Sequence, residues 1–131
     1  MTEQEKEIAT IKPRHITVNL SDADVKRIAE KAGASGMTIG TLLENFIGDL
    51  ICGTYSNGSD ERMFANEYFD RCWFSWSNSN FLSYLIDSDE IFNPNKRELF
   101  EEYKVHRPDA DYDEEMKLVR AWLKEYEEAN R

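Results

Sequence analysis

The sequence is poor in cysteine, in positive charge and in long apolar runs. Its 131 residues include two cysteines, Cys52 and Cys72, too few for a disulfide framework. Its 16 basic side chains are outnumbered by 26 acidic ones, and the net charge of −10 argues against general binding of nucleic acid, because phosphate neutralisation needs basic groups. No apolar run approaches the roughly 18 residues of a transmembrane helix. We therefore expect a reduced, cytoplasmic protein that has no membrane partner.

The sequence also lacks the residue combinations of common enzymes and metal sites. His15 and His106 have no cysteine or second histidine at the spacing that zinc ligands need. The chain has no nucleophile elbow and no glycine-rich loop for phosphate. We expect no enzyme activity, no catalytic residues, no metal and no cofactor.

One acidic stretch, Asp87–Glu98, has oxygen-bearing side chains at positions 1, 3, 7, 9 and 12 of the calcium loop in an EF-hand. Ile91, however, takes position 5, and Phe92 takes position 6, where glycine allows the sharp turn. Pro94 stiffens the loop further. The stretch therefore predicts a solvated loop rather than a calcium site.

What the sequence does contain is enough apolar material for a core, with 40% hydrophobic and 12% aromatic residues. The segment Arg14–Ser21 alternates, with Ile16, Val18 and Leu20 on one side, and this pattern predicts a short β-strand. A lone strand needs a partner for its backbone groups, and no second convincing strand follows. The same strand of a second copy would supply it, which predicts a homodimer.

Two helices are predicted directly after this segment. Ser21 is a suitable N-cap for a helix from about Asp22 to about Gly33, and Thr38 is a suitable N-cap for a second helix. Apolar residues at helical spacing predict a buried stripe on the second helix, consisting of Leu42, Leu43, Phe46, Ile47 and Leu50.

From Pro13 to Ile51 the order of one alternating strand and two helices resembles the ribbon-helix-helix family of dimeric DNA-binding proteins. The resemblance implies that two strands pair and enter the major groove, where His15, Thr17 and Asn19 contact bases. It also implies DNA backbone contacts from the start of the second helix and from basic residues beside the strand, namely Lys12, Arg14, Thr38, Ile39 and Gly40. The alternative is a ribbon that only dimerises.

The remaining three fifths of the chain predict an acidic, aromatic-rich helical extension. We expect a flexible arm at residues 1–11, a dimerisation unit at 12–53 and the extension at 54–131, and thus a mainly α-helical fold. Aromatic residues at helical spacing are usually core, but they also serve as anchors for a partner protein. The candidate partner-binding residues are Trp73, Trp76, Trp122 and Tyr126.

The charge distribution leaves two functions open. Residues 12–31 hold five basic and three acidic side chains, whereas the chain from Ile51 onward holds ten basic and eighteen acidic ones. The first hypothesis is a dimeric DNA-binding transcriptional regulator of phage, plasmid or toxin–antitoxin type, with a helical partner-binding extension. The alternative is an acidic, protein-binding inhibitor of phage type, which imitates the charge of DNA to block a nucleic-acid-handling protein and uses the N-terminal unit only to dimerise.

Overall fold

In the computed structural model, which describes residues 1–55, 59–75 and 80–131, the regular secondary structure is helical. The helices are α1 (Glu3–Ile8), α2 (Asp22–Gly33), α3 (Ile39–Ile51), α4 (Ser59–Arg71), α5 (Phe81–Asp87), α6 (Arg97–His106) and α7 (Tyr112–Ala129), with a 3-10 turn at Trp73–Ser75. None of these helices, within the described ranges, is long and apolar enough to cross a membrane.

The predicted N-terminal strand is wrong. Residues 11–20 carry neither strand nor helix, and no strand occurs anywhere in the described ranges. The physical reason is that an alternating sequence becomes a strand only when a second strand pairs with its backbone, and the described chain supplies none. The ribbon-helix-helix assignment and the fold class built on it are therefore incorrect, because that unit requires a strand.

The two helices predicted after this segment are present with the expected starts. The Ser21 hydroxyl accepts a hydrogen bond from the Asp24 amide at 3.1 Å, and the Thr38 hydroxyl accepts one from the Thr41 amide at 3.1 Å. Each bond satisfies an amide that the first turn of a helix leaves without a partner. The turn between α2 and α3 passes through Gly36 at φ +76°, a conformation that glycine adopts without strain.

The chain divides into two compact units. Unit 1 comprises Met1–Pro13 and Thr17–Trp76, and unit 2 comprises Arg14–Ile16 and Ser77–Arg131. In unit 1, α1 lies in the segment predicted as an arm, and it is held to the residues after α3: the Gln4 side-chain amide donates to the Thr54 carbonyl at 3.1 Å, and the Thr54 hydroxyl donates to the Glu7 carboxylate at 2.9 Å.

Unit 2 has an aromatic core between α5, α6 and α7. Phe81 is fully buried, with ring centroids 5.4 Å from Phe100 and 5.6 Å from Tyr103. The Glu115 carboxylate of α7 accepts a hydrogen bond from the Phe81 amide at 2.9 Å, and thereby ties α7 to the first turn of α5. The remaining buried members of the core are Leu85, Ile91, Met116 and Val119.

Unit 1 buries far fewer apolar side chains than unit 2 among the described residues. Among its described residues the buried apolar side chains are two alanines, Ala32 and Ala65. The stripe predicted to be buried on α3 is instead half-buried or exposed, and α3 contains no buried residue. The expectation of a buried stripe was wrong because helical spacing shows which residues share a face, not whether another element covers that face.

Candidate interaction surfaces

One uncovered apolar feature of unit 1 is a groove between the segment 17–20 and helices α2 and α3. We call it the unit 1 groove; its volume is about 470 Å³. Its lining consists of Val18, Leu20, Asp24, Arg27, Ile28, Ile39 and Leu43. The predicted alternation is therefore visible in part, since Val18 and Leu20 line the groove while Thr17 and Asn19 are exposed outside it.

Charged groups stand at one side of the unit 1 groove. The Arg27 guanidinium donates to the Asp24 carboxylate at 2.8 Å, and both side chains are more than half exposed. An exposed pair of this kind contributes little to stability, on the order of 0.2–1 kcal/mol. Its effect is to place one positive and one negative group beside an apolar floor, as in the polar rim of protein interfaces.

The apolar side chains around the unit 1 groove form a larger exposed face. Six of them are between 43% and 63% exposed, namely Val18, Leu20, Val25, Leu43, Phe46 and Ile47. Half-exposed side chains of this size leave roughly 80 Å² each, or about 500 Å² of apolar surface in all. A standard protein interface buries about 800 Å² per partner, a little over half of it apolar. The face is thus large enough for a specific interface.

The residues predicted to contact DNA bases do not fall in one unit. Thr17 and Asn19 belong to unit 1 and His15 to unit 2, and all three side chains are exposed. Of the predicted backbone contacts, Lys12 is exposed, while one guanidinium nitrogen of Arg14 donates to the Ala129 carbonyl at 3.1 Å.

At the start of α3, the other predicted DNA backbone contacts have separate roles. The Thr38 hydroxyl serves as the helix cap, and the Ile39 side chain lines the unit 1 groove. Gly40 is exposed, and a Cβ at this position would lie 3.8 Å from the Thr38 hydroxyl, which is ordinary van der Waals contact. The surface beside these first-turn amides is therefore open.

The aromatic residues predicted to bind a partner are also divided between the two units. Trp73 lies in unit 1, is 81% exposed and meets Phe74 edge to face. Trp122 and Tyr126 lie together on α7 of unit 2, with their rings parallel and centroids 5.5 Å apart. Trp76 lies outside the described residues.

Sequence reasoning missed a residue that belongs with Trp122 and Tyr126. Phe92, from the loop before α6, places its ring centroid 5.5 Å from that of Tyr126 and is itself 62% exposed. One turn before Trp122 on α7, Leu118 is also exposed. We call these four residues the aromatic stripe. The position of Leu118 could be predicted from its spacing of four residues from Trp122 on one helix. No local sequence pattern predicts that Phe92 contacts Tyr126, which lies 34 positions away.

A second concave surface in unit 1 lies along α4. It has a volume of about 580 Å³ and is lined by Phe64, Glu67, Tyr68, Arg71 and Cys72. A hydrogen bond with the Cys72 thiol raises the pKa of Tyr68. Cys72 is a free, half-buried thiol.

No group of three or more His, Cys, Asp or Glu side chains in the described part of the chain is placed to hold a metal ion. Two candidate interaction surfaces are the unit 1 groove with its flanking apolar face and the aromatic stripe of unit 2. Comparison of the chain with protein-family models, with curated proteins and with solved structures finds no match.

Proposed function

We propose that the protein is a homodimeric regulator that associates through the apolar face of unit 1 and contacts DNA with the polar residues beside it. The observation that carries the proposal is the poor burial in unit 1, where the described residues bury two alanines while six large apolar side chains stand about half exposed. Such a unit gains stability when its open face is covered.

A second copy of the chain fits this face because a two-fold interface is self-complementary. The same patch serves on both partners, so the groove of one copy receives apolar side chains of the other. The Asp24–Arg27 pair supplies one charge of each sign at the rim, and in a two-fold contact whose axis passes near the pair, Asp24 of one copy can face Arg27 of the other. Like charges therefore need not face each other across the contact.

Support for DNA contact comes from charge and from side-chain chemistry. The segment 12–31 has five basic and three acidic side chains in a chain that is otherwise strongly acidic. Thr17 and Asn19 are exposed and suited to hydrogen bonding with base edges, and asparagine pairs well with adenine. The first-turn amides of α3, beside Gly40, are of the kind that contact phosphates.

The test is a fluorescence-anisotropy titration with a labelled duplex from the region upstream of the protein's own coding sequence, at low and at physiological salt, against a scrambled duplex. We expect saturable binding that prefers the upstream duplex and weakens with salt. Alanine at Thr17 and Asn19 together should weaken it at least about tenfold, as loss of base contacts requires. The matched control replaces exposed His106 and Asn93 of unit 2. Absence of binding at low salt would overturn the DNA part of the proposal.

A second candidate function is a protein-binding role for unit 2, as in the inhibitor hypothesis. The observation that favours it is charge, since residues 14–16 and 77–131 hold fourteen acidic and nine basic side chains, a net charge of −5. This charge repels nucleic acid and attracts basic protein surfaces. Capture of a basic partner by a protein that fails to bind DNA would favour this function over the first.

A further inference from the structure

The aromatic stripe of unit 2 consists of Leu118, Trp122 and Tyr126 on the surface of α7 and of Phe92 from the loop before α6. Phe92 and Leu118 are 62% and 47% exposed, and Tyr126 is 42% exposed although it contacts rings on two sides. The rings of Trp122 and Tyr126 are parallel to within 2°. Large aromatic side chains held in a fixed orientation at the surface are typical of the anchors at protein interfaces.

Carboxylates border the aromatic stripe along α7. Glu114 precedes Leu118 by four residues and Glu125 follows Trp122 by three, and residues three or four apart are neighbours on a helix surface. Lys117 lies on the same side, but its ammonium is held by the Glu114 carboxylate at 2.8 Å. Glu125 is thus a carboxylate next to the paired rings.

The loop that carries Phe92 continues this acidic border. Asp89 and Glu90 lie three and two residues before Phe92, and the first basic residue after it is Lys96. The stripe therefore has carboxylates on its helix side and in the loop that supplies its fourth member, while at the C-terminal end of α7 the Arg14 guanidinium donates to the Ala129 carbonyl at 3.1 Å. An apolar or acidic ligand would gain nothing from this charge, whereas a cationic one would be attracted to it.

Unit 2 already places cations on aromatic rings. The Arg97 guanidinium lies 4.5 Å from the ring centroid of Tyr112, and the Lys104 ammonium lies 5.9 Å from that of Phe100. Such contacts contribute roughly 0.5–1 kcal/mol at exposed sites. The same chemistry is open to an external cation at the ring pair of the stripe.

We propose that the aromatic stripe is the docking site for a basic segment of a partner protein, with an arginine of that segment over the Trp122–Tyr126 pair and ion-paired to Glu125. The inference rests on the protein-binding role given above to unit 2 and is independent of the unit 1 groove. Arginine is favoured over lysine because its planar, weakly hydrated guanidinium stacks on rings while it pairs with a carboxylate.

The experiment uses the full chain and fluorescein-labelled peptides of three Arg-Leu, three Lys-Leu or three Glu-Leu repeats, titrated by anisotropy at 150 mM salt. We expect the arginine peptide to bind at least about threefold more tightly than the lysine peptide, and the glutamate peptide not to bind. Glu125→Gln and Tyr126→Ala should each weaken the arginine peptide by about fivefold.

The matched control is Glu127→Gln, which removes the same charge from the same helix but lies off the stripe, and should change affinity less than twofold. Phe92→Ala lies in an exposed loop and should weaken binding of the arginine peptide while circular dichroism shows an intact fold. This variant therefore distinguishes a loss of docking from a loss caused by unfolding of the Tyr126→Ala variant. Equal weakening by the two glutamine variants would overturn the site and leave unit 2 as a general acidic binder. Absence of binding by the arginine peptide would overturn the site and the basic partner together.

Discussion

The replacement Leu20→Ala tests self-association through the unit 1 groove and has a magnitude that the structure sets. Leu20 lines the groove and is 52% exposed. Complete burial of a leucine side chain contributes about 1.5–3 kcal/mol, so covering its exposed half contributes about 1 kcal/mol. A two-fold dimer contains Leu20 twice, once in each copy, so the loss of free energy is doubled. The variant should therefore lose about 2 kcal/mol of dimerisation free energy, or roughly 30-fold in Kd.

Sedimentation equilibrium over a wide range of protein concentration gives this Kd directly. The matched control is Leu118→Ala, because Leu118 is also a leucine about half exposed (47%) but belongs to unit 2. We expect the control to dimerise as the unmodified chain does, and both variants to retain their helical circular dichroism. The reasoning is refuted if the dimer Kd of Leu20→Ala lies within about threefold of the Kd of the control. It is also refuted if the unmodified chain stays monomeric at about 100 times the protein concentration used in the assays.

The remaining predictions concern stability and are measured by urea or thermal unfolding. Glu115→Ala should lower the free energy of unfolding by about 1–3 kcal/mol, because the buried Phe81 amide loses a charged acceptor. The control Glu114→Ala breaks an exposed pair with Lys117 and should lower it by less than about 0.5 kcal/mol. Equal losses in the two variants would contradict the role of Glu115. Burial is the main cause, and the Glu115 carboxylate the next, of a pKa of Tyr103 above its ordinary 10.0. As the pH rises, the unfolded chain therefore loses the phenol proton of Tyr103 at a lower pH than the folded chain does. Stability should accordingly be complete below pH 10 and fall as the pH rises through the folded value, with a smaller fall in Tyr103→Phe; an unchanged profile in that variant would refute the assignment. Gly36→Ala should destabilise unit 1 by about 1 kcal/mol or more because φ is +76°, and a neutral result would show that the turn relaxes. In calorimetry the transition of unit 1 should move to higher temperature with protein concentration and that of unit 2 should not, whereas two fixed transitions would speak against linked association.

The sequence predicted the local parts of the fold and failed on the parts that depend on distant partners. Ser21 and Thr38 are correct as caps because a cap is a hydrogen bond over three residues and needs only its own chain neighbours. The strand at 14–21 failed because a strand depends on pairing that no local pattern guarantees. Burial of the α3 stripe failed for the same reason, since the spacing of Leu43 and its neighbours is identical whether the face is covered or open.

The candidate sites follow the same division. Trp122 and Tyr126 could be paired from their spacing of four on one helix, and Val18 and Leu20 could be placed together from their alternation. Phe92 could not be added to the stripe, because its contact with Tyr126 depends on where the loop before α6 returns to α7. In residues 87–98 the sequence pattern concerns the acidic side chains, whereas the exposed side chain that contacts α7 is the ring of Phe92.

The unequal burial in the two units has a consequence for how function is measured. Unit 2 encloses Phe81, Leu85, Met116 and Val119 completely, so its stability comes from its own core. Unit 1 is of similar size, and a domain of some 70 residues is marginal even with a full core. Unit 1 buries two alanines in its described residues, so if the proposed homodimer covers its apolar face, association is a condition of its stability rather than a later event. DNA titrations must therefore be made above the dimer Kd, because below it a loss of binding would report the loss of unit 1 and not of the contacts made by Thr17 and Asn19.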